Sequence, residues 1–564
     1  MMRTAIVGQD KEDLAEALAD LSKKRVIERI WKKDWTVWKN EPEEIANRMG
    51  WLTCPQEACK ALPGIGRFVQ EVKRDGYTNA LLLGMGGSSL APLVLSSTFK
   101  TKPGYLDLIV LDSTVPAAVL GVRRRLNPAK TLFIVSSKSG TTVETMSLFN
   151  LFWNWTAECL GKARTGEHFI AITDEGTPLA EEARRLRFRS LFLGDPEIGG
   201  RFSALSLFGL IPGSLKGINI PLILKSAGEM AQRCRQTADL KANPGACLGA
   251  VLGVMAKKGR DKTTFFLSPR LASLGAWLEQ LIAESTGKEG KGIVPVEGEP
   301  IGPSDVYGPD RFFISIRLRG DISNENALRQ LKRAGFPALS LNVPSAGHLG
   351  GQFFLWEFAT AVAGHILGIN PFNQPDVDLT KKKTQGFLET YRKKGILPEE
   401  KLRILDDGIC LFSEARVSTL AEGMKNFLGQ ARPGDYIGIQ AFLSPEPLTT
   451  LALQKLRALL REKTRLAVTL GYGPRFLHST GQLHKGDSGR GLFIQITSPA
   501  FEDIPIPDGP GSLRSSLSFG VLCASQARGD HEALKSAGRR IMRIELSQEV
   551  GTGLTAILSA VQEK

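Results

Sequence analysis

Four short apolar runs, Ala80 to Leu83, Leu106 to Leu111, Thr131 to Val135 and Phe169 to Ile172, are each followed by Gly, Ser, Thr or Asp and then by a helix-like segment. Strands that are apolar on both faces and alternate with helices belong to a parallel sheet covered on both sides. The expected fold class is therefore α/β. A second unit of the same kind begins near Thr263. It has strand candidates at Thr264 to Leu267, Phe312 to Ile316 and Ala338 to Leu341, and a helix at Leu271 to Ser285. The two units share a weak internal likeness, since residues 81–92 and 265–277 both read as strand, polar turn, then helix. A third α/β region follows Gly395, with strands at Tyr436 to Phe442, Arg465 to Leu470 and Leu492 to Ile496, and a helix at Thr449 to Glu462. Residues 10–75, where Trp31, Trp35, Trp38 and Trp51 stand among charges, predict helices that cover a domain. The expected division is a helical segment over 1–75, parallel-sheet domains over 76–230 and 231–395, and a C-terminal α/β domain over 396–564.

A chain of 564 residues is too long for one core, which agrees with several domains. Its formal charge of +14 favours anionic partners. The basic residues are scattered in short groups (Arg123 to Arg125, Arg184 to Arg189, Lys381 to Lys383). A nucleic-acid footprint is clustered, so a phosphorylated small molecule is the better expectation than nucleic acid. The longest apolar stretch, Phe353 to Ile369, contains Glu357 and His365 and reads as a buried core helix, not a membrane span. Seven cysteines, an odd number, predict reduced thiols, and the charged N-terminus lacks an apolar signal core; a cytoplasmic setting is expected. No cluster of His, Cys, Asp and Glu has metal-ligand spacing, so neither metal nor cofactor is expected.

Two loops carry the chemistry. The first strand ends in Gly84-Met85-Gly86-Gly87-Ser88-Ser89 and a helix follows. Glycines admit close backbone approach, and a helix N-terminus offers free N–H groups to an anion. The spacing is not that of a dinucleotide fingerprint. The second loop, Ser136-Ser137-Lys138-Ser139-Gly140-Thr141-Thr142, also follows a buried strand and opens a helix. One hydroxyl there would serve as an N-cap. Five within seven positions exceed that need and predict a phosphate cradle of neutral donors.

The paired loops resemble the sugar-isomerase (SIS, flavodoxin-like) fold of glucose-6-phosphate isomerases. Further segments match that family in order: Ile198-Gly199-Gly200-Arg201-Phe202-Ser203, then Gln280 and Glu284 followed by Ser285-Thr286-Gly287-Lys288, then His348 with Gly351-Gln352, and last Phe372-Asn373-Gln374-Pro375-Asp376-Val377-Asp378 with Lys381. In the closing segment Asp376 stands in place of a usual glycine and Asp378 in place of a usual glutamate. The C-terminal third, including residues 470–486, and the N-terminal helices resemble the isomerase portion of transaldolase–isomerase fusion proteins, although no transaldolase barrel is present.

The resemblance implies a glycolytic and gluconeogenic enzyme that interconverts glucose 6-phosphate and fructose 6-phosphate through an enediolate. Glu284 is the implied base, Arg201 the fixed cation for the developing charge, and His348 with Lys381 the pair that opens the sugar ring. Gln280, one turn from Glu284, would hold a substrate hydroxyl. Gly87, Ser88, Ser137, Lys138, Ser139, Thr142 and Gln374 complete the implied substrate and phosphate contacts, and a homodimer is implied. Mannose 6-phosphate as a further substrate is one rival reading. A sugar-phosphate sensor that binds without reacting is another, although it would have no use for Glu284, Arg201 and His348 together. His478, Gln482, His484 and Lys485 form a polar cluster that could make a second anion site or reach a neighbouring subunit.

Overall fold

In the computed structural model, which describes residues 2–5, 9–398, 404–406, 409–412, 417–546 and 549–563, three principal sheets carry the chain. The first runs Asp107–Leu111, Asn79–Gly84, Thr131–Ser136, Phe169–Thr173, Ser190–Leu193, all parallel. Its last strand is not legible in the sequence because it is a partly exposed edge in an arginine-rich stretch, with an apolar run of only three residues, Leu191 to Leu193. The second sheet runs Met2–Ala5, Ala338–Val343, Arg311–Leu318, Lys262–Leu267, Val294–Val296, parallel except for Met2–Ala5. The third has four central parallel strands, Arg540–Leu546, Gly491–Thr497, Tyr436–Phe442 and Ala467–Tyr472, with Ile404–Asp406 and Ile409–Phe412 added antiparallel at one edge.

The N-terminal segment is less helical than expected. It holds helices Gln9–Lys23, Val26–Trp31 and Cys54–Arg74 and lends an edge strand to the second sheet. Lys33 and Glu44 adopt left-handed backbone conformations, which end helical propagation between them. The irregular stretch has a packing purpose. Trp51 is fully buried and its ring lies against Phe202, Phe354, Phe358 and Phe372. It therefore ties the loop that carries Arg201 to the loop that carries Gln374.

One continuous core joins the N-terminal helices, one face of the first sheet and the second unit. The expected boundary at 230 falls inside helix Ile220–Cys234, which packs on Leu349–Leu367. The third domain is wrapped against the others: Ile504, Ile506, Phe519 and Leu522 join the core on the other face of the first sheet. Its helix Phe519–Ser536 lies along Asp378–Lys394, the helix of Lys381. Among the described residues, no helix is long and apolar enough to cross a membrane.

Register sets the site. Gly84 lies level with Ser136 in adjacent parallel strands, so the two polar loops leave the sheet side by side at its carboxyl end. Ligands of open α/β sheets gather there.

Candidate active site

Glu284 lies near the end of helix Leu274–Thr286, whose residues are otherwise almost all buried. Its carboxylate is held from two sides. Gln280, one turn earlier, donates from Nε2 to Oε2 at 3.0 Å, and Arg201 Nη1 stands 3.2 Å from Oε1. Only 14% of the Glu284 side chain and 2% of the Arg201 side chain are exposed. The base candidate is thus fixed in rotamer yet reachable. Gln280 Nε2 also donates to the His478 carbonyl at 2.7 Å, while its Oε1 is buried without a partner. An unsatisfied buried acceptor of this kind suits a substrate hydroxyl.

Arg201 makes four hydrogen bonds and an ion pair. Nε binds Ser285 Oγ at 2.8 Å, Nη1 faces Gln374 Oε1 at 2.9 Å as well as Glu284, and Nη2 binds the carbonyls of Pro371 and Asn373 at 2.7 and 3.1 Å. Burial lowers its pKa, and the Glu284 charge opposes that shift. Arg201 therefore acts on an intermediate through its fixed charge and through Glu284 rather than with a spare donor, which refines its expected role. Beside it Lys288 donates to Asn373 Oδ1 at 3.0 Å. Burial first, then the Arg201 charge, drives its pKa well down, while the Glu284 charge opposes the shift.

In the glycine loop, a Cβ on Gly87 would lie 2.1 Å from the Gly200 carbonyl oxygen, so the bare backbone makes room for the Arg201 loop. Gly86 has φ +52°, and a Cβ there would meet Gln280 Nε2 at 2.9 Å. Ser88 is buried and its carbonyl accepts from Ser136 Oγ. Gly87→Ala is expected to cost roughly 3 kcal/mol through backbone overlap and to lower activity in parallel, as denaturant titration alongside turnover would register.

The hydroxyls of the second loop bond to one another and to its backbone. Ser137 Oγ lies 3.1 Å from Thr142 Oγ1 and accepts the Gly140 amide, and Ser139 accepts from Thr141 at the exposed lip. Thr142 precedes helix Val143–Leu160 without making a side-chain cap bond, which leaves first-turn amides for an anion. Lys138 does not point into the cradle. It pairs with Asp174 Oδ2 at 2.5 Å and donates to the Asp195 carbonyl. This salt bridge braces the loop, and Lys138 is turned to Asp174 rather than to the hydroxyls.

His348, the histidine that the sequence singled out, stands apart from Glu284 within this chain. His348 bonds Ser345 across its own turn at 2.9 Å, and its neighbours Gly347 and Gly350 pack on helix Ile220–Cys234. No hydrogen bond or ion pair among the described residues joins it to Glu284, Arg201 or Lys381. His478, from the third domain, accepts from Gln280 through its carbonyl at 2.7 Å and so lies beside the helix of Glu284. Its Nε2 is 2.8 Å from Glu144 Oε1. Burial lowers its pKa, but Glu144, its hydrogen bond and Glu284 together raise it above the ordinary value. Glu144 is the reciprocal case: burial pushes its carboxyl up, and the His478 charge and hydrogen bond more than offset this. Gln526 adds a 2.6 Å bond to the same carboxylate. Lys381 is 67% exposed and pairs with Asp378 on its own helix, 3.1 Å away. It is close enough to oppose the charge on His478, but it does not reach Glu284 here.

The other members of the C-terminal cluster are buried. Gln482 donates to the Gly287 carbonyl at 2.9 Å and to Asp376 Oδ2, and accepts the Asp376 amide at 2.9 Å. The unusual Asp376 thus has a partner that pins the Gln374 loop to the end of the Glu284 helix. Lys485 is paired with buried Asp530 at 2.6 Å.

A family model for phosphoglucose isomerase matches residues 66–296. A glucose-6-phosphate isomerase of Rubrobacter xylanophilus is 31% identical over 363 residues, covering 56% of this chain and 83% of that one. The chain belongs to the glucose-6-phosphate isomerase family. A member from Carboxydothermus hydrogenoformans is 28% identical over 437 residues, covering 67% of this chain and 91% of its own. Among solved structures, a Thermus thermophilus protein described only as hypothetical has TM-score 0.56 at 25% identity, covering 68% of this chain and 99% of that one. A glucose-6-phosphate isomerase of Chlamydia trachomatis has TM-score 0.57 at 18% identity, covering 67% and 86%, and bears on the fold alone. The family of the chain is thus an aldose–ketose isomerase family, and the site just described is where its members' chemistry is to be sought in this sequence.

Proposed function

We propose that this protein interconverts glucose 6-phosphate and fructose 6-phosphate, with Glu284 moving the proton. The observation that carries the reading is the Glu284 carboxylate clamped between Arg201 and Gln280, with an imidazole–carboxylate pair close enough to feel its charge. The phosphate sits in the Ser137 to Thr142 cradle. Ionised Glu284 takes the C2 proton of the open aldose. C1 and C2 become doubly bonded and O1 takes up the negative charge, which the fixed Arg201 guanidinium stabilises. The O2 hydroxyl then passes its proton through solvent to O1, and return of the proton from Glu284 to C1 gives the ketose with its carbonyl at C2.

Ring opening must come first, and we assign it to His478 rather than His348. Its raised pKa favours imidazolium, which hands a proton to the ring oxygen as the C1–O5 bond breaks. The anomeric hydroxyl gives up its proton to water, and solvent recharges the imidazole. The seven unpaired cysteines fit the cytoplasmic setting that belongs to this reading, together with a homodimer. The finer likeness to the isomerase portion of transaldolase–isomerase fusions belongs here too, supported by the place of residues 470–486 inside the site.

A coupled assay with fructose 6-phosphate tests the reading, and parallel assays with glucose and mannose 6-phosphates decide the hexose. His478→Asn should lower kcat about 10²-fold, whereas His348→Asn should fall far less in the same assay. The reverse order would return ring opening to His348.

A further inference from the structure

Helix Leu274–Thr286 grips the His478 loop at two successive residues. Gln280 takes the His478 carbonyl, and Ser479 Oγ donates to Glu279 Oε1 at 3.3 Å. Glu279 is not an ordinary solvated helix acid, for it is buried. Glu297, just beyond strand Val294–Val296, lies on the same face of the helix. A Cβ on Gly275, four residues before Glu279, would be 2.7 Å from Glu297 Oε2. The buried Glu279 carboxyl and the partly buried Glu297 carboxyl therefore lie on one face of this helix, beside the loop of the site.

We propose that Glu279 is a positioning residue which, through Ser479, sets the place of His478 beside Glu284, so that the helix of the base also aims the histidine. The proposal rests on the isomerase reading above. The charged groups facing Glu279 are Glu297, Arg457 from helix Pro447–Thr464 and Arg475 from the His478 loop itself. Arg457 Nη2 and Arg475 Nε are buried without hydrogen-bond partners, and Arg475 is tied to Asp112 at 2.6 Å. The His478 loop is thus pinned to the first unit by Asp112 and Glu144 and to the second by Glu279 and Gln280.

Burial foremost, then the Glu297 charge, holds the Glu279 carboxyl above the ordinary range, and burial holds Glu297 up as well. The two titrate as a pair. Ionisation of both puts like charges on one face of the helix, and the Glu279 carboxylate is the one attached to the loop.

The test compares Glu279→Leu, Glu279→Gln and Ser479→Ala in the full-length enzyme. Glu279→Leu and Ser479→Ala should lower kcat about tenfold, while inhibition by inorganic phosphate stays within about twofold of wild type. Glu279→Gln keeps an acceptor without a titrating charge. It should restore kcat at neutral pH, and its alkaline fall should set in at a higher pH than that of the wild type. In a His478→Asn background, Glu279→Leu should add little. Wild-type kcat in Ser479→Ala, or a full additive loss in the double variant, would overturn the proposal. So would identical pH profiles for wild type and Glu279→Gln. Ser479→Ala removes a single hydroxyl and keeps the test open should Glu279→Leu not fold. Failure of the isomerase reading shows separately, as turnover that survives Glu284→Gln.

Discussion

Glu284→Gln is expected to lower kcat about 10³-fold or more, while affinity for a competing phosphate stays near that of wild type. The amide has the size and shape of the carboxyl group and leaves Arg201 most of its partners, so loss of fold is not the expected cause. What disappears is the only function that an amide cannot supply, the uptake of a carbon-bound proton. Transfer of solvent deuterium into the sugar should vanish together with turnover, because both require the same proton to leave carbon. Undiminished turnover, or deuterium exchange that survives at the wild-type rate, would remove Glu284 from the mechanism whatever the fold.

Arg201→Ala is expected to damage both stability and catalysis. Removing one member of a buried ion pair leaves the other uncompensated, at a cost of roughly 3–5 kcal/mol. Here the Glu284 carboxylate, Gln374, Ser285 and two backbone carbonyls would all lose their donor. Turnover should fall about 10²- to 10³-fold on top of any unfolding, as expected for loss of a preorganised charge. Arg201→Lys separates the two effects. An ammonium keeps the charge but has three donors in place of a planar five, so part of kcat should return while the midpoint of denaturation stays low. If Arg201→Ala unfolds at the wild-type denaturant midpoint and turns over normally, the five-bond description of this side chain is wrong.

The features that are legible in the sequence are those whose physics is local. The buried parallel strands can be read because apolar residues occupy both faces in runs, and the observed Tyr436–Phe442 matches its expected bounds. Val294–Val296 cannot be read, being three residues long, nor can Met2–Ala5, whose only reason to be a strand is a partner more than three hundred residues away. The hydroxyl loop at 136–142 announces itself because a strand end, a turn and a helix start are neighbours in sequence. Lys138 within it is turned to Asp174, which claims its charge and lies on the next strand's loop.

Residue types and their order along the chain establish the fold class, the family and the base candidate before any coordinates. They do not say which histidine meets the base. An imidazole is tuned by the carboxylate beside it, and for His478 that is Glu144, separated by 334 positions. The same holds for Gln482, which holds Asp376, and for the Glu279–Ser479 contact that joins two domains. Sequence determined the chemical repertoire and the local loops that present it. Tertiary packing decided which members of that repertoire face one another, because hydrogen bonds and charges act over a few ångströms of space, however far apart in the chain their residues stand.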